Sequence, residues 1–586
     1  MSIEKNKLSW VIGGEAGYGI MTAGNNFAKA MVLGGLNIYT HTEYPSLIRG
    51  GHNTFAVRVE GQEVNSPIGL FNLVVALDKK TVEEFKDRLM EKGGIIYDSD
   101  KVRLEQSELS EFSDIKLFPV PMTAIVNETE GAIRVMRNSV ALGASMALLD
   151  YDFELLAEAI RGTYSKRKKN SQILDANVEI AKKGYDYVKE NFKEDINVNI
   201  EKQEKSKKMI LTGNHSISLG ALKAGCKFVS SYPMTPATSI MEYYASKEES
   251  MDVVMEQADT EIEAINLALG ASYGGVRAMT ATSGGGLALM SETTSLIGMA
   301  EQPLVIVDAQ RPGPSTGLPT RQGQEDLKFV LNIGHGEFPR IVIAPGDVEE
   351  CFYETFNAFN LADKYQLPVF ILTDKYQASS LVSMPKFDTS HLKIDRGQML
   401  TDKEAENAED YKRFKITETG VSPRSIPGQK AIYRSSSDEH DEYGNITEDP
   451  DNRNEMHEKR MRKLGSTLNE IPLPKLYGPE KADITIVAWG STKGSILDAI
   501  KYLEAEGITA NLLHFVYINP FHTPYVKKML EEAKVVVDVE ENQTGQLAAV
   551  IKEHTGFTIP HKVLKYDGRT TYPSDIYDRI KELYNG

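Results

Sequence analysis

Cysteine is nearly absent: among 586 residues only Cys226 and Cys351 carry thiols, and they lie far apart in the sequence. Two thiols rule out a disulfide framework, and they fall short of the four thiolates that usually hold an iron–sulfur cluster. Long apolar runs are missing too. None approaches the ~18 to 20 residues of a membrane span, and the N-terminal Met-Ser-Ile-Glu-Lys-Asn-Lys lacks the hydrophobic segment of a signal peptide. Positive charge is in deficit, since 83 Asp and Glu against 66 Lys and Arg leave a net charge of −17. That is the opposite of a nucleic-acid footprint, and no Lys/Arg run is interleaved with aromatics. The Gly-x-Gly-x-x-Gly fingerprint and the Walker lysine are also absent, which argues against a self-contained NAD dehydrogenase. These gaps point to a cytoplasmic protein with neither nucleic acid nor membrane as a partner.

What is present is ordinary for a soluble chain: 41% hydrophobic and 25% charged residues. The length exceeds a single core, so several domains are expected. Residues 1–193 open with the apolar strand Leu8 to Ile12, then Gly13-Gly14-Glu15-Ala16-Gly17-Tyr18-Gly19 and a helix, with further strands at Thr54 to Val59, Leu73 to Ala76 and Gly94 to Tyr97. Residues 194–208 are a polar linker. Residues 209–377 alternate strands and helices again, from Met209 to Thr212 through Pro368 to Thr373, as short continuous apolar runs suited to a buried parallel sheet. Residues 378–479 are polar, too long for a connection, and read as a functional excursion or a partly disordered segment. Residues 480–586 alternate once more. The expected class is α/β and multidomain, with a doubly wound parallel sheet in the middle.

The middle region carries the chemistry. Tyr232-Pro233-Met234-Thr235-Pro236 comes after the strand Phe228 to Ser231 and precedes a helix through Lys247. Prolines at 233 and 236 stiffen the turn, so the Thr235 hydroxyl is presented at the carboxyl end of a strand, where open α/β sheets bind ligands. In Val254 to Ile265, which reads as the opening of a helix capped by Asp259 or Thr260, Glu256, Asp259 and Glu263 read as first-turn charges on the dipole. Glu261 differs, since it precedes the core-facing Ile265, Ala268 and Leu269, and a carboxyl there can donate or share a proton. Thr280-Ala281-Thr282-Ser283-Gly284-Gly285-Gly286 lets a flat ligand or a phosphate approach the backbone. After Leu304 to Asp308, Arg311 and Arg321 are candidates for holding a carboxylate. Successive strands ending in such loops assemble a site.

In the N-terminal region, Gly13 to Gly19 can favour an anion or simply let a strand and helix pack. Glu15 would repel a closely cradled phosphate. Glu43-Tyr44-Pro45-Ser46-Leu47-Ile48-Arg49-Gly50-Gly51-His52 offers an anion contact through Arg49, or a surface ion pair.

In this order, Tyr-Pro-Met-Thr-Pro, Glu261-Ile262-Glu263-Ala264-Ile265, Thr-Ala-Thr-Ser-Gly and Arg-Pro-Gly-Pro-Ser-Thr-Gly resemble the α subunit of 2-oxoacid:ferredoxin oxidoreductases. Residues 7 to about 190 resemble that family's γ domain, through Gly-x-x-Gly-x-Gly-Ile and Glu-Tyr-Pro-Ser-x-x-Arg-Gly-Gly, and the C-terminal region resembles a transketolase C-terminal domain. The closest type is the fused γ–α subunit of the 2-oxoglutarate enzymes. Gly285, Met234 and His215 depart from the family's commonest residues, and His215 could alter charge near the cofactor. The resemblance implies a γ-type domain at 1–193, a pyrimidine-type thiamine diphosphate domain at 209–377 and a transketolase-like domain at 480–586. It implies oxidative decarboxylation of a 2-oxoacid, 2-oxoglutarate first, with pyruvate, branched-chain acids or a non-catalytic scaffold subunit as alternatives. Acyl transfer would be to coenzyme A, with Arg49 as its candidate contact. It assigns Glu261 to N1′ of the aminopyrimidine, Thr235 to the substrate side and Arg311 to the substrate carboxylate, with Tyr232, Pro233, Ser283 and Gly284 at the cofactor. The chain lacks the Gly-Asp-Gly…Asn motif for Mg²⁺ and diphosphate, so Mg²⁺ and a 4Fe-4S cluster are expected on a β subunit that passes electrons to ferredoxin, in an (αβ)₂ assembly.

Overall fold

The strand Lys7–Glu15 pairs parallel with Phe71–Ala76 on one side and antiparallel with His52–Glu60 on the other. Every residue between its two ends is buried, which is why it sits centrally. In this computed structural model, which describes residues 5–46, 51–104, 114–164, 171–193, 196–204 and 207–585, it belongs to the first of two units. That unit is Met1–Leu211 with Ser380–Phe387; the second is Thr212–Ser379 with Asp388–Gly586.

In the first unit the sheet continues in parallel through Leu89–Asp98 to Lys116–Val120, and antiparallel through Asn37–Glu43 and Val382–Pro385 to Lys208–Leu211. Trp10 stacks on Phe27 of the helix Ile20–Leu33 at 4.1 Å, in a core shared with the helices Arg137–Leu148 and Ser171–Asn191. The strand expected to open the middle region therefore lies here instead. Its residues are only half-buried and pair antiparallel with Val382–Pro385, the environment of a sheet edge rather than of a buried parallel strand.

The second unit holds two sheets. The larger has the order Tyr517–Asn519, Ile341–Ile343, Pro368–Asp374, Leu304–Gln310, Ala278–Thr282, Phe228–Ser231 and Val254–Gln257. All are parallel except Tyr517–Asn519, which returns antiparallel from the C-terminal region. Leu304–Gln310 and Pro368–Asp374 are buried at every position, as continuous apolar central strands require. Val254–Gln257, read as the approach to a helix, is instead an edge strand with a mostly exposed face. The helix begins at Glu261, where the Thr260 hydroxyl accepts from the Glu263 amide at 3.1 Å. The smaller sheet has the order Lys475–Tyr477, Ala510–Phe515, Ile484–Trp489, Val536–Glu540 and His561–Leu564, all parallel apart from the first.

The polar stretch after residue 388 is folded, with helices Asp402–Glu406 and Pro450–Leu468. Its attachment is charged rather than apolar. The buried Glu301 carboxylate receives the Lys459 ammonium at 2.6 Å and Lys463 at 2.5 Å, while Arg413 donates to the Glu301 carbonyl at 2.7 Å. Each of these cations is itself buried.

Candidate functional site

The turn after Phe228–Ser231 is held from behind. Buried Asn214 donates to the Pro236 carbonyl and to the Ser239 hydroxyl, both at 2.8 Å, and the Ala237 amide donates to the Met234 carbonyl at 2.8 Å. The Thr235–Pro236 peptide is cis. Tyr232 and Pro233 are exposed, and Thr235 is half-buried. From the neighbouring strand end, Arg311 reaches across and donates through Nη1 to the Thr235 carbonyl at 2.7 Å. Sequence-predicted Thr235 and Arg311 are thus brought together, and Arg311 is only 9% exposed. Arg321 is not part of this contact; its stem runs beside Gly568.

Of the four carboxylates around the start of the helix Glu261–Tyr273, Glu256, Asp259 and Glu263 are exposed and Glu261 alone is buried, at 4% exposure. Glu263 acts locally, accepting the Asp259 amide at 2.7 Å. Glu261 Oε1 is buried without a hydrogen-bond partner, an arrangement that is costly unless a ligand completes it.

The triglycine segment, the first turn of the helix Gly284–Leu289, explains why. A Cβ on Gly286 would overlap the Thr282 hydroxyl and lie 2.7 Å from Glu261 Oε1; a Cβ on Gly284 would overlap the Asp326 carboxyl. These two glycines therefore admit the protein's own carboxyls. Gly285 alone has room for a Cβ, with Ser315 O the nearest atom at an ordinary contact distance of 3.6 Å. Ser283, fully buried, also has an unpartnered hydroxyl. An orphaned carboxyl oxygen and an orphaned hydroxyl on neighbouring segments leave unused hydrogen-bonding capacity beside a glycine with room for a ligand. His215 adds no charge: burial lowers its pKa and favours the neutral ring.

The loop that carries Arg311 is fastened at its far end by groups no sequence motif signals. Gln322 donates to Glu541 at 2.5 Å and accepts the Tyr376 amide at 2.7 Å. Gln324 donates to the Trp489 carbonyl at 3.1 Å, and Asn542 donates to the Gln324 carbonyl at 3.1 Å. The C-terminal sheet thus holds the loop in place.

In the first unit the two N-terminal motifs are adjacent, the Ala16 amide donating to the Gly51 carbonyl at 2.7 Å. Arg49 lies outside the described residues. The two ends of the Gly13–Gly19 segment are filled by protein, while Gly17 has open space beside it: Thr81 packs against Gly13, and Asn138 donates to the Tyr18 and Gly19 carbonyls at 3.1 and 3.2 Å. Beside Gly51, burial acts to lower the His52 pKa, but Asp78 and Glu84 outweigh it and hold His52 at about 9, a cation at neutral pH. Among the described residues, no group of three or more His, Cys, Asp or Glu could hold a metal ion, and no helix is long and apolar enough to cross a membrane.

Residues 9–187 match the family described as pyruvate ferredoxin/flavodoxin oxidoreductase, residues 219–459 the thiamine diphosphate-binding pyruvate flavodoxin/ferredoxin oxidoreductase family, and residues 477–580 the transketolase C-terminal domain. A 2-oxoacid:ferredoxin oxidoreductase subunit alpha from Sulfolobus sp is 35% identical, over 99% of this chain and 98% of its own length. The chain belongs to that family. A solved 2-oxoglutarate:ferredoxin oxidoreductase from Magnetococcus marinus, with 2-oxoglutarate, coenzyme A and succinyl-CoA bound, is 33% identical with a TM-score of 0.91, covering 99% of this chain and 100% of that one. The 2-oxoglutarate synthase subunit KorA of Methanothermobacter marburgensis is 31% identical and matches 63% of this chain and 97% of its own. This 2-oxoacid:ferredoxin oxidoreductase alpha-family chain therefore combines an oxidoreductase N-terminal domain, a thiamine diphosphate-binding domain and a transketolase C-terminal domain.

Proposed function

We propose that this chain forms the thiamine half of a 2-oxoacid:ferredoxin oxidoreductase that converts 2-oxoglutarate, coenzyme A and oxidised ferredoxin to succinyl-CoA, CO₂ and reduced ferredoxin. The observation that carries the reading is the orphaned Glu261 carboxyl oxygen, buried beside Gly286 of the triglycine segment. Thiamine diphosphate supplies the carbanion-stabilising chemistry when bound. Glu261 would hydrogen-bond a ring nitrogen of the cofactor through its carboxyl, and its burial would keep water from that contact. Ser283 offers its hydroxyl and Gly284 keeps the Asp326 carboxyl close, while Tyr232 and Pro233 form the outer lip. Arg311, anchored on the Thr235 carbonyl, presents its remaining donors to a substrate carboxylate. Thr235 places its hydroxyl on the substrate side.

The site is half of one. Large apolar side chains stand exposed around it at Tyr232, Ile262, Leu289 and Leu318, as at a surface that another chain covers. That chain is the β subunit, bearing Mg²⁺, the diphosphate contacts and the 4Fe-4S cluster, in a cytoplasmic (αβ)₂ assembly. Coenzyme A meets the N-terminal unit near Arg49; the His52 cation next to Gly51 is spent on Asp78 and Glu84 and offers it no free charge. 2-Oxoglutarate is favoured over pyruvate and branched-chain acids because the 33%-identical solved relative holds it. The test is a panel of 2-oxoacids offered to the co-purified α–β complex with a viologen dye as acceptor. Coenzyme A-dependent reduction with 2-oxoglutarate is expected; no reduction with any 2-oxoacid by an intact, cofactor-loaded complex returns the chain to a scaffold role.

A further inference from the structure

The triglycine turn lies between two carboxyls, and the reading above uses only one. Opposite Glu261, Asp326 presses against Gly284, where a Cβ would overlap it, and its Oδ2 is buried without a partner. Beneath them Asp308 is 0% exposed with neither oxygen bonded. It lies in register with Thr282, the residue that precedes Ser283.

Asp326 is bracketed to Arg311 by two rungs. Its own amide donates to Gln310 Oε1 at 3.0 Å, and the Gly313 amide donates to Glu325 Oε2 at 2.8 Å. The segments Gln310–Gly313 and Glu325–Asp326 therefore run side by side, with Arg311 between the rungs. The charged groups facing Asp326 are Asp308 from the strand Leu304–Gln310, Arg311 from the loop after it, Glu325 from its own loop and, across the turn, Glu261. One cation stands among four carboxyl groups, counting Asp326 itself. Asp308, deepest, is held neutral by burial, with Asp326 behind it. Burial and Glu325 raise Asp326 to about 6 against the pull of Arg311, so at neutral pH it is ionised, and its charge acts in turn on that guanidinium without a direct ion pair.

We propose that Asp326 is a positioning residue for an anionic substrate: it is the internal counter-charge of Arg311, and when a substrate carboxylate takes that place Asp326 takes up one proton from solvent. The inference rests on the reading that Arg311 holds the 2-oxoacid carboxylate. One guanidinium can compensate one close carboxylate, and a second negative charge in a water-poor pocket is relieved by protonation. No other bond forms or breaks. Above about pH 6 the KM for the 2-oxoacid then rises with pH, by at most about tenfold per pH unit, the slope of one linked proton. The kcat does not follow this group.

The experiment is calorimetric binding of 2-oxoglutarate to the co-purified complex at pH 7 in two buffers of different ionisation enthalpy, with KM and kcat measured from pH 5.5 to 8. Wild-type protein is expected to take up close to one proton. Asp326→Asn, which keeps the shape against Gly284, is expected to take up none and to flatten the KM profile while leaving the pH dependence of kcat alone. Binding without proton uptake in wild-type protein overturns the inference and needs no variant to do so; so does an unchanged KM slope in Asp326→Asn. Arg311→Gln separates the two levels. If its KM matches wild type, the underlying substrate-site reading fails and this inference fails with it; if its KM rises while wild type takes up no proton, the inference alone fails.

Discussion

Arg311 donates to the backbone carbonyl of Thr235 at 2.7 Å, not to its hydroxyl. The guanidinium thereby joins two strand-end loops while the Thr235 side chain stays available. It also commits one N–H group to positioning and keeps the rest of its fork.

Arg311→Lys tests that division of labour. A lysine ammonium cannot hold the Thr235 carbonyl and a substrate carboxylate in one planar geometry. Losing one charge-assisted hydrogen bond, worth about 1.5–3 kcal/mol, predicts a KM for the 2-oxoacid raised tenfold or more, with a smaller fall in kcat. Steady-state kinetics on the complex reads both.

Gly286→Ala and Gly285→Ala should behave oppositely. The first drives a methyl into the Thr282 hydroxyl and to 2.7 Å from Glu261 Oε1, and overpacking of that kind costs about 1–3 kcal/mol. A lowered melting temperature and loss of thiamine diphosphate-dependent stabilisation are expected. Gly285→Ala meets nothing nearer than 3.6 Å, so its melting temperature without cofactor stays at the wild-type value. Differential scanning fluorimetry with and without cofactor distinguishes them.

Several elements were legible because the residues that fold them also mark them. The continuous apolar runs at Leu304–Gln310 and Pro368–Asp374 are buried at every position, and Tyr232–Pro236 announces its turn through two prolines. Val254–Gln257 was not legible: as an edge strand it buries too little to show a period, and its acidic end resembles the start of a helix. Residues 388–472 are polar because charge fastens them. Lys459 and Lys463 sit on the helix Pro450–Leu468 and point at Glu301 rather than completing an apolar stripe. Glu261 stood out among its neighbours because Ile265, Ala268 and Leu269, one and two turns further along its helix, are core residues. Asp326 did not, because its place depends on the missing Cβ of Gly284, which only the folded chain brings opposite.

Glu301→Gln is expected to be severely destabilising. It leaves the buried Lys459 and Lys463 ammoniums without their carboxylate, and breaking a buried pair costs about 3–5 kcal/mol. Although burial opposes ionisation, Lys459 and Lys463 hold the Glu301 pKa below the usual carboxylate range. The stabilisation is therefore present above the unfolded-state value of ~4.3 and lost as pH falls through the folded one. Denaturant unfolding stepped from pH 7 down through the acid range below pH 4 measures both the loss and its sign.

The Glu541–Asp374 pair runs the other way. Burial, with the Asp374 charge behind it, pushes Glu541 up to about 7. A carboxyl whose folded pKa is raised favours the native state when protonated, and that contribution fades as pH rises from ~4.3 toward 7. Asp374→Asn, with its Ser491 and Gln377 contacts kept, should raise the melting temperature at pH 8 and change it little at pH 5.

Glu261 is the residue on which the proposed chemistry depends. The decisive measurement is 2-oxoglutarate-dependent viologen reduction by the α–β complex carrying Glu261→Ala, purified beside wild type with assembly checked by size-exclusion chromatography. A loss of turnover of two orders of magnitude or more, about 2.7 kcal/mol of barrier, in an intact complex is the predicted result. Wild-type turnover from that complex contradicts the role assigned to Glu261.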